Sequence, residues 1–346
     1  MKQILSILFL ISCFGLISCS EKNNLNDGYY FSTEELDHLI YIKSDTLIFE
    51  NILGIDTFTY LFQGKNQIIL SPINIKDSII IFEYNFHSDG LELFVGDTLM
   101  RFKQTSFNNA TDFYINSKGF QINVPYFENP QFIAKQNLVV TLLVETKNDS
   151  LELELDENQT DIGSIKNDFQ SALDKFDEVE KPLVTLRLFV DKDFEVKRLE
   201  PILRKTTGLF REIAFVVKPS FKQHKRYGSQ YFSFFDYVFF ANDSIHLKFI
   251  DKHNFQINTK DNINSNSISA KMESAEYTFI KLLLKNGMSV QEYIEVKNVV
   301  YSTIDSLRDK YSLETVGCLF NEIDSEIGHK NIREKYPRLV IIENEK

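Results

Sequence analysis

The sequence predicts an α+β protein: an N-terminal antiparallel β domain, a meander or small barrel, followed by one or two α/β sandwich units. Three observations carry this. From Tyr29 to about Phe107 the chain is a series of short β-branched and aromatic runs separated by turn residues. From Val139 to Val217, strand-like and helix-periodic stretches alternate in the order ββαβαβ. From Tyr231 onward the same alternation partly recurs. With 43% hydrophobic and 25% charged residues the chain has enough apolar side chains for such cores. Trp is absent and Phe abundant, so the cores are expected to rest on Phe, Ile, Leu and Tyr.

Residues 1–18 read as a lipoprotein signal peptide. Lys2 supplies the positive end, and Ile4 to Ile11 begins an apolar run well short of the ~20 residues a spanning helix needs. Leu16-Ile17-Ser18-Cys19 resembles the lipobox of bacterial lipoproteins. That resemblance implies a lipid on Cys19 and a membrane as the first partner, two acyl chains being enough for stable anchoring. The implied location is the cell envelope, facing the periplasm, in either membrane. Cys13 falls in the signal, which leaves Cys318, read as a buried small hydrophobe in the apolar stretch Thr315 to Phe320. The net charge of -11 argues against a nucleic-acid partner.

Residues 19–110 comprise the tether and the β domain. Asp45-Thr46-Leu47, Asp77-Ser78-Ile79 and Asp97-Thr98-Leu99 each set a turn-forming pair before a strand-like run. The same triplet recurs at Asp149, Asp243 and Asp305, and it also resembles the acceptor of a bacterial O-glycosylation system. The region looks similar to lipocalin-like β domains.

Thr111 to Val139, with Pro125 and Pro130, reads as a linker into the next unit, residues 118–220. There Val139 to Val144 and Leu151 to Leu155 form a hairpin about Asn148-Asp149. Ile162, Ile165, Phe169 and Leu173 mark a helix, and Leu183 to Val190 a strand. Val196, Leu199, Ile202 and Leu203 mark a second helix, and Ile213 to Val217 closes the unit. Ile122-Asn123-Val124-Pro125, the Asp191-Lys192-Asp193 turn, Gly208 and Pro219 resemble the periplasmic domain of the ExbD/TolR biopolymer-transport family. The resemblance implies a binding surface that includes Asp191, Lys192 and Asp193. The partners it suggests are an envelope protein, peptidoglycan or a second copy of the chain. Family members carry a proton-coupled transmembrane helix where this chain has a β domain and Cys19, so a motor role is not implied.

In residues 231–346, Asp243 to Leu247 and Phe255 to Ile257 suggest a hairpin, and Asp261 to Ser269 a loop. Phe279 to Gly287 resembles Thr185 to Asp191 and its turn, so the region reads either as a diverged second copy or as coincidental α/β periodicity. A long helix to about Tyr311 and strands at Val316 to Phe320 and Leu339 to Ile342 complete it. Glu152, Glu154, Asp156 and Glu157 read as a solvated strand face, and Lys222 to Arg226 as a basic linker. The six His form no metal-ligand spacing, and no nucleophile elbow, phosphate loop or dinucleotide fingerprint is present. No cofactor or metal is expected. The expected function is a non-enzymatic, lipid-anchored binding protein; a scaffold lipoprotein and a hydrolase with a site between domains are the alternatives.

Overall fold

The computed structural model describes residues 27–344 apart from 33–37, 52–53, 64–65, 74–78, 88–89, 96–97, 129, 134–136, 220–231, 241–252, 262 and 275. Cys19, Asp77-Ser78, Asp243 to Leu247 and the basic cluster Lys222 to Arg226 lie outside these residues. The described chain divides into two compact units, one through Tyr114 and one from Ile115.

The first unit is a closed antiparallel barrel of eight strands: β1 (Gly28–Ser32), β2 (Leu39–Lys43), β3 (Thr46–Asn51), β4 (Gly54–Gln63), β5 (Gln67–Pro72), β6 (Ile80–His87), β7 (Gly90–Val95) and β8 (Thr98–Thr105). Closure is made by β1 against β8, with Tyr29 opposite Thr105. Period-two alternation drives it, since successive strand side chains point to opposite faces. Ile40 and Ile42, Phe58 and Tyr60, Ile68 and Leu70, and Leu91 and Leu93 all turn inward to one core. Closing the sheet also removes the unpaired edges that an open meander would expose. The Asp45-Thr46-Leu47 triplet leaves a hairpin turn made by Ser44 and Asp45 and begins β3 at Thr46: Ser44 takes φ +56°, and its amide donates to Asp27 Oδ1 at 2.8 Å.

The second unit contains two sheets. The expected linker does more than connect. It forms α1 (Ala110–Ser117) and then two short strands, β9 (Tyr126–Phe127) and β10 (Gln131–Phe132), that join the first sheet. That sheet continues with β11 (Val139–Lys147), β12 (Ser150–Leu155), β13 (Asn158–Thr160), β14 (Thr185–Val190), β15 (Glu212–Pro219) and β16 (Phe232–Asp236), in the order β10-β16-β15-β14-β11-β12-β13. β11, β14 and β15 run parallel, which requires crossovers. α2 (Ile165–Leu173) and α3 (Val196–Thr206) supply them, burying Ile165, Phe169, Val196 and Leu199 as their periodicity indicates. Asn148 and Asp149 take φ +50° and +64°, the left-handed pair of a two-residue hairpin, which Asn and Asp tolerate.

The acidic strand face is not solvated throughout. Glu154 is 7% exposed, because Lys118, just past the end of α1, covers that part of the face with its Nζ 3.9 Å away. Burial pushes the Glu154 carboxyl above the ordinary 4.5, and Lys118 opposes the shift. The folded state therefore holds this proton more tightly than the unfolded chain. The group's effect on stability is most favourable below about pH 4.5 and is lost as pH rises through the raised value. Glu154→Gln should thus be more stable than the parent near pH 7 and equal to it near pH 4, read by urea midpoints at the two pH values. A destabilised variant near pH 7 would show that the Lys118 contact outweighs the burial.

The second sheet comprises β17 (Phe239–Phe240), β18 (Asn254–Asn258), β19 (Phe279–Leu284) and β20 (Val340–Asn344), all parallel, in the order β17-β20-β19-β18. β18 pairs with β19; the other strand of the expected hairpin, Asp243 to Leu247, lies outside the described residues. Part of the expected polar loop, Asp261 to Ser269, is helical: α4 (Ser265–Glu273) starts there, capped by Asn264, whose side chain accepts from the Ser267 amide at 2.9 Å. α5 (Val290–Thr315) is longer than its apolar pattern suggested, and Val316 to Phe320 is not a strand. Gly317, at φ +88°, ends the helix, and Ser312 Oγ donates back to the Cys318 carbonyl at 2.7 Å. Cys318 is half-buried instead of buried, because the helix end carries it to the surface. The triplet at Asp305 lies inside α5, so there it begins no strand. α6 (Glu326–Lys335) precedes β20. Among the described residues no helix is long and apolar enough to cross a membrane.

Candidate functional site

The carboxyl ends of parallel strands are where open α/β sheets usually take ligands, and Asp191-Lys192-Asp193 follows β14 at such an end. Here the turn is tied down by its own chain. Asp191 Oδ2 accepts from the Asn123 amide at 2.9 Å and Oδ1 from the Asp193 amide at 2.8 Å. The Lys192 amide donates to the Asn123 carbonyl at 2.8 Å, and its carbonyl accepts from the Gln291 amide at 2.9 Å. Gln291 in turn grips the backbone of Tyr126 from both sides, accepting from its amide at 2.7 Å and donating to its carbonyl at 3.1 Å. The three predicted residues are thus assembled into a joint that holds the lead-in strand and the start of α5.

A second cluster lies deeper. Asp236, at the end of β16, and Lys297, on α5, are both fully buried, with Nζ 3.0 Å from Oδ1. Tyr293 and Tyr301 each donate a hydroxyl to the Asp236 carboxylate at 2.6 Å. Lys297 also donates to the Tyr301 hydroxyl at 3.0 Å. Tyr293, Lys297 and Tyr301 are four residues apart, so one helical face presents them all. Burial pushes both tyrosines well above their ordinary value, with the Asp236 charge adding to it. The hydroxyls therefore stay protonated and act as donors. Burial also lowers Lys297, against the pull of Asp236. Sequence reading missed this cluster. The signal was a lysine on the apolar stripe of Val290, Ile294, Val300 and Ile304.

Tyr301 also faces a crevice of about 620 Å³ at the opposite, amino-terminal ends of β14 and β15. Phe127, Phe234 and Tyr301 give it aromatic walls, and Arg211 and Arg338 line it together with the carboxylates Glu212 and Asp305. The Arg338 guanidinium sits 4.1 Å from the Tyr301 ring centre and 3.5 Å from Asp305. Arg211 lies 3.9 Å from Glu212. Charge-assisted bonds close at ~2.7–2.9 Å, so both forks keep donor capacity. Ser233 lines the same space, and its Oγ is buried with no hydrogen-bond partner. Apolar walls with a few fixed polar groups suit reversible binding of an amphipathic, anionic ligand. Among the described residues no group of His, Cys, Asp and Glu is arranged to hold a metal.

No family model matches the chain, and no curated protein or solved structure shows significant similarity to it. The functional reading rests on the sequence and on this geometry.

Proposed function

We propose that this is a lipid-anchored envelope protein, held by Cys19, that binds a periplasmic protein or cell-wall ligand non-enzymatically through its second unit. The observation that carries it is the crevice. Its aromatic walls back onto the buried Asp236–Lys297 pair, and two arginines with unspent donors face into it. The proposed ExbD/TolR resemblance is compatible with the order β11, β12, β13, α2, β14, α3 and β15, in which Asp191-Lys192-Asp193 follows β14. A diverged second copy fits the equal strand order of β11-β14-β15 and β18-β19-β20.

Two measurements test the proposal on the full chain expressed in a Gram-negative host. Mass spectrometry of the mature N-terminus should find a diacylated cysteine at Cys19. An unmodified N-terminus, or an uncleaved signal, removes the anchor. Crosslinking in intact cells should then join the second unit to an envelope protein or to peptidoglycan, and the yield should fall with Arg338→Gln. Yields that do not respond to that change would sink the role given to the crevice.

A further inference from the structure

The two sheets of the second unit touch through equivalent backbone positions. Phe194, Glu195 and Val196 lead from β14 into α3 as Met288, Ser289 and Val290 lead from β19 into α5. The Val196 amide donates to the Met288 carbonyl at 2.9 Å, and the Val290 amide donates to the Phe194 carbonyl, also at 2.9 Å. Between them Glu195 and Ser289 form an antiparallel bridge. Each residue thus bonds to the counterpart of its neighbour, which is what a local two-fold axis through the bridge produces. The lead-in strands agree: β9 runs parallel to β15, and β17 runs parallel to β20.

The same equivalence extends to the crevice. Leu186 and Ile280 are the second residues of β14 and β19; Leu186 pairs with Ile213 and Ile280 with Val340. Ile213 and Val340 are therefore counterparts, and so are Arg211 and Arg338, two residues before each. Both arginines line the one crevice. We infer that the second unit is a fused pair of related modules, and that the crevice where their counterpart arginines meet receives a short peptide bearing two carboxylates. Each guanidinium offers a planar fork matched to a carboxylate, and the aromatic walls take the intervening apolar part. The turn joint occupies the other end of the sheets, so the ligand is met at their amino-terminal ends.

This rests on the binding role of the crevice but not on the lipid, so the purified full chain in detergent suffices. The probes are acetylated, amidated peptides with two glutamates separated by zero to three alanines, their glutamine counterparts, and a soluble muropeptide, titrated calorimetrically. One glutamate spacing, or the muropeptide, should bind saturably, and glutamine replacement should weaken the peptide at least about tenfold. Muropeptide binding alone would make the cell wall the source of the carboxylates; linear-peptide binding alone would make it a protein. Arg211→Gln and Arg338→Gln should each weaken binding, by factors within about threefold of one another, with unchanged circular dichroism. Absence of binding by every probe, indifference to glutamine, or an effect confined to one arginine overturns the inference. The finding of a diacylated Cys19 would stand in each of those cases.

Discussion

Lys297→Met is expected to destabilise the protein by about 3–5 kcal/mol, because it strands the Asp236 carboxylate in a fully buried site. The two tyrosine hydroxyls that Asp236 accepts soften the loss without supplying a counter-charge. The cost measures the abandoned partner, not the net worth of the pair. Lys297→Met combined with Asp236→Asn should accordingly cost less than the sum of the two single changes, by more than about 1 kcal/mol. Guanidinium midpoints for the four proteins close the cycle. A Lys297→Met protein within about 0.5 kcal/mol of the parent, or strictly additive effects, would show that the pair is solvated and that α5 is held by its apolar face alone.

Gly90→Ala should cost about 3 kcal/mol, for a different reason. Gly90 opens β7 opposite Lys103 of β8, and a methyl group there would collide with the Phe102 carbonyl oxygen. The obstacle is backbone, so no rotamer relieves it; the two strands must part in a barrel whose closure leaves no free edge to yield. Gly208→Ala provides the contrast. Gly208 has φ +78° and open space around it, so its cost is conformational, about 1–2 kcal/mol. Equal losses for the two variants would contradict the close approach.

Much of the architecture was legible because it is local. Alternating runs marked the barrel strands, and Asn148-Asp149 marked a hairpin through the one property that Asn and Asp bring to a turn. The apolar spacing of Val196, Leu199, Ile202 and Leu203 marked α3, and all four are buried. Other features failed for equally definite reasons. Asp261 to Ser269 is polar enough to read as a loop, but Asn264 caps a helix within it. Val316 to Phe320 is apolar enough to read as a strand, but Gly317 and Ser312 close a helix there. Glu154 shares a strand face with Glu152, yet only Glu154 is buried, because the chain that covers it comes from 36 residues earlier, at Lys118.

The binding surface was less legible still. The Asp191-Lys192-Asp193 turn was expected to face a partner; the sequence did not show that the backbone of Asn123 and Gln291 also holds it. Arg211 and Arg338 look unrelated in the chain, because α5 and α6 lengthen one copy of the pattern between them.

By itself the sequence determined the elements, their inward faces and the turns between them, because side-chain period and left-handed turn preference belong to short stretches of backbone. Only the tertiary structure decided that the meander closes, that a lysine on an apolar stripe meets Asp236, and that two distant arginines share one crevice. Those outcomes depend on which surfaces exclude water together, and no local window of sequence contains both sides of such a contact.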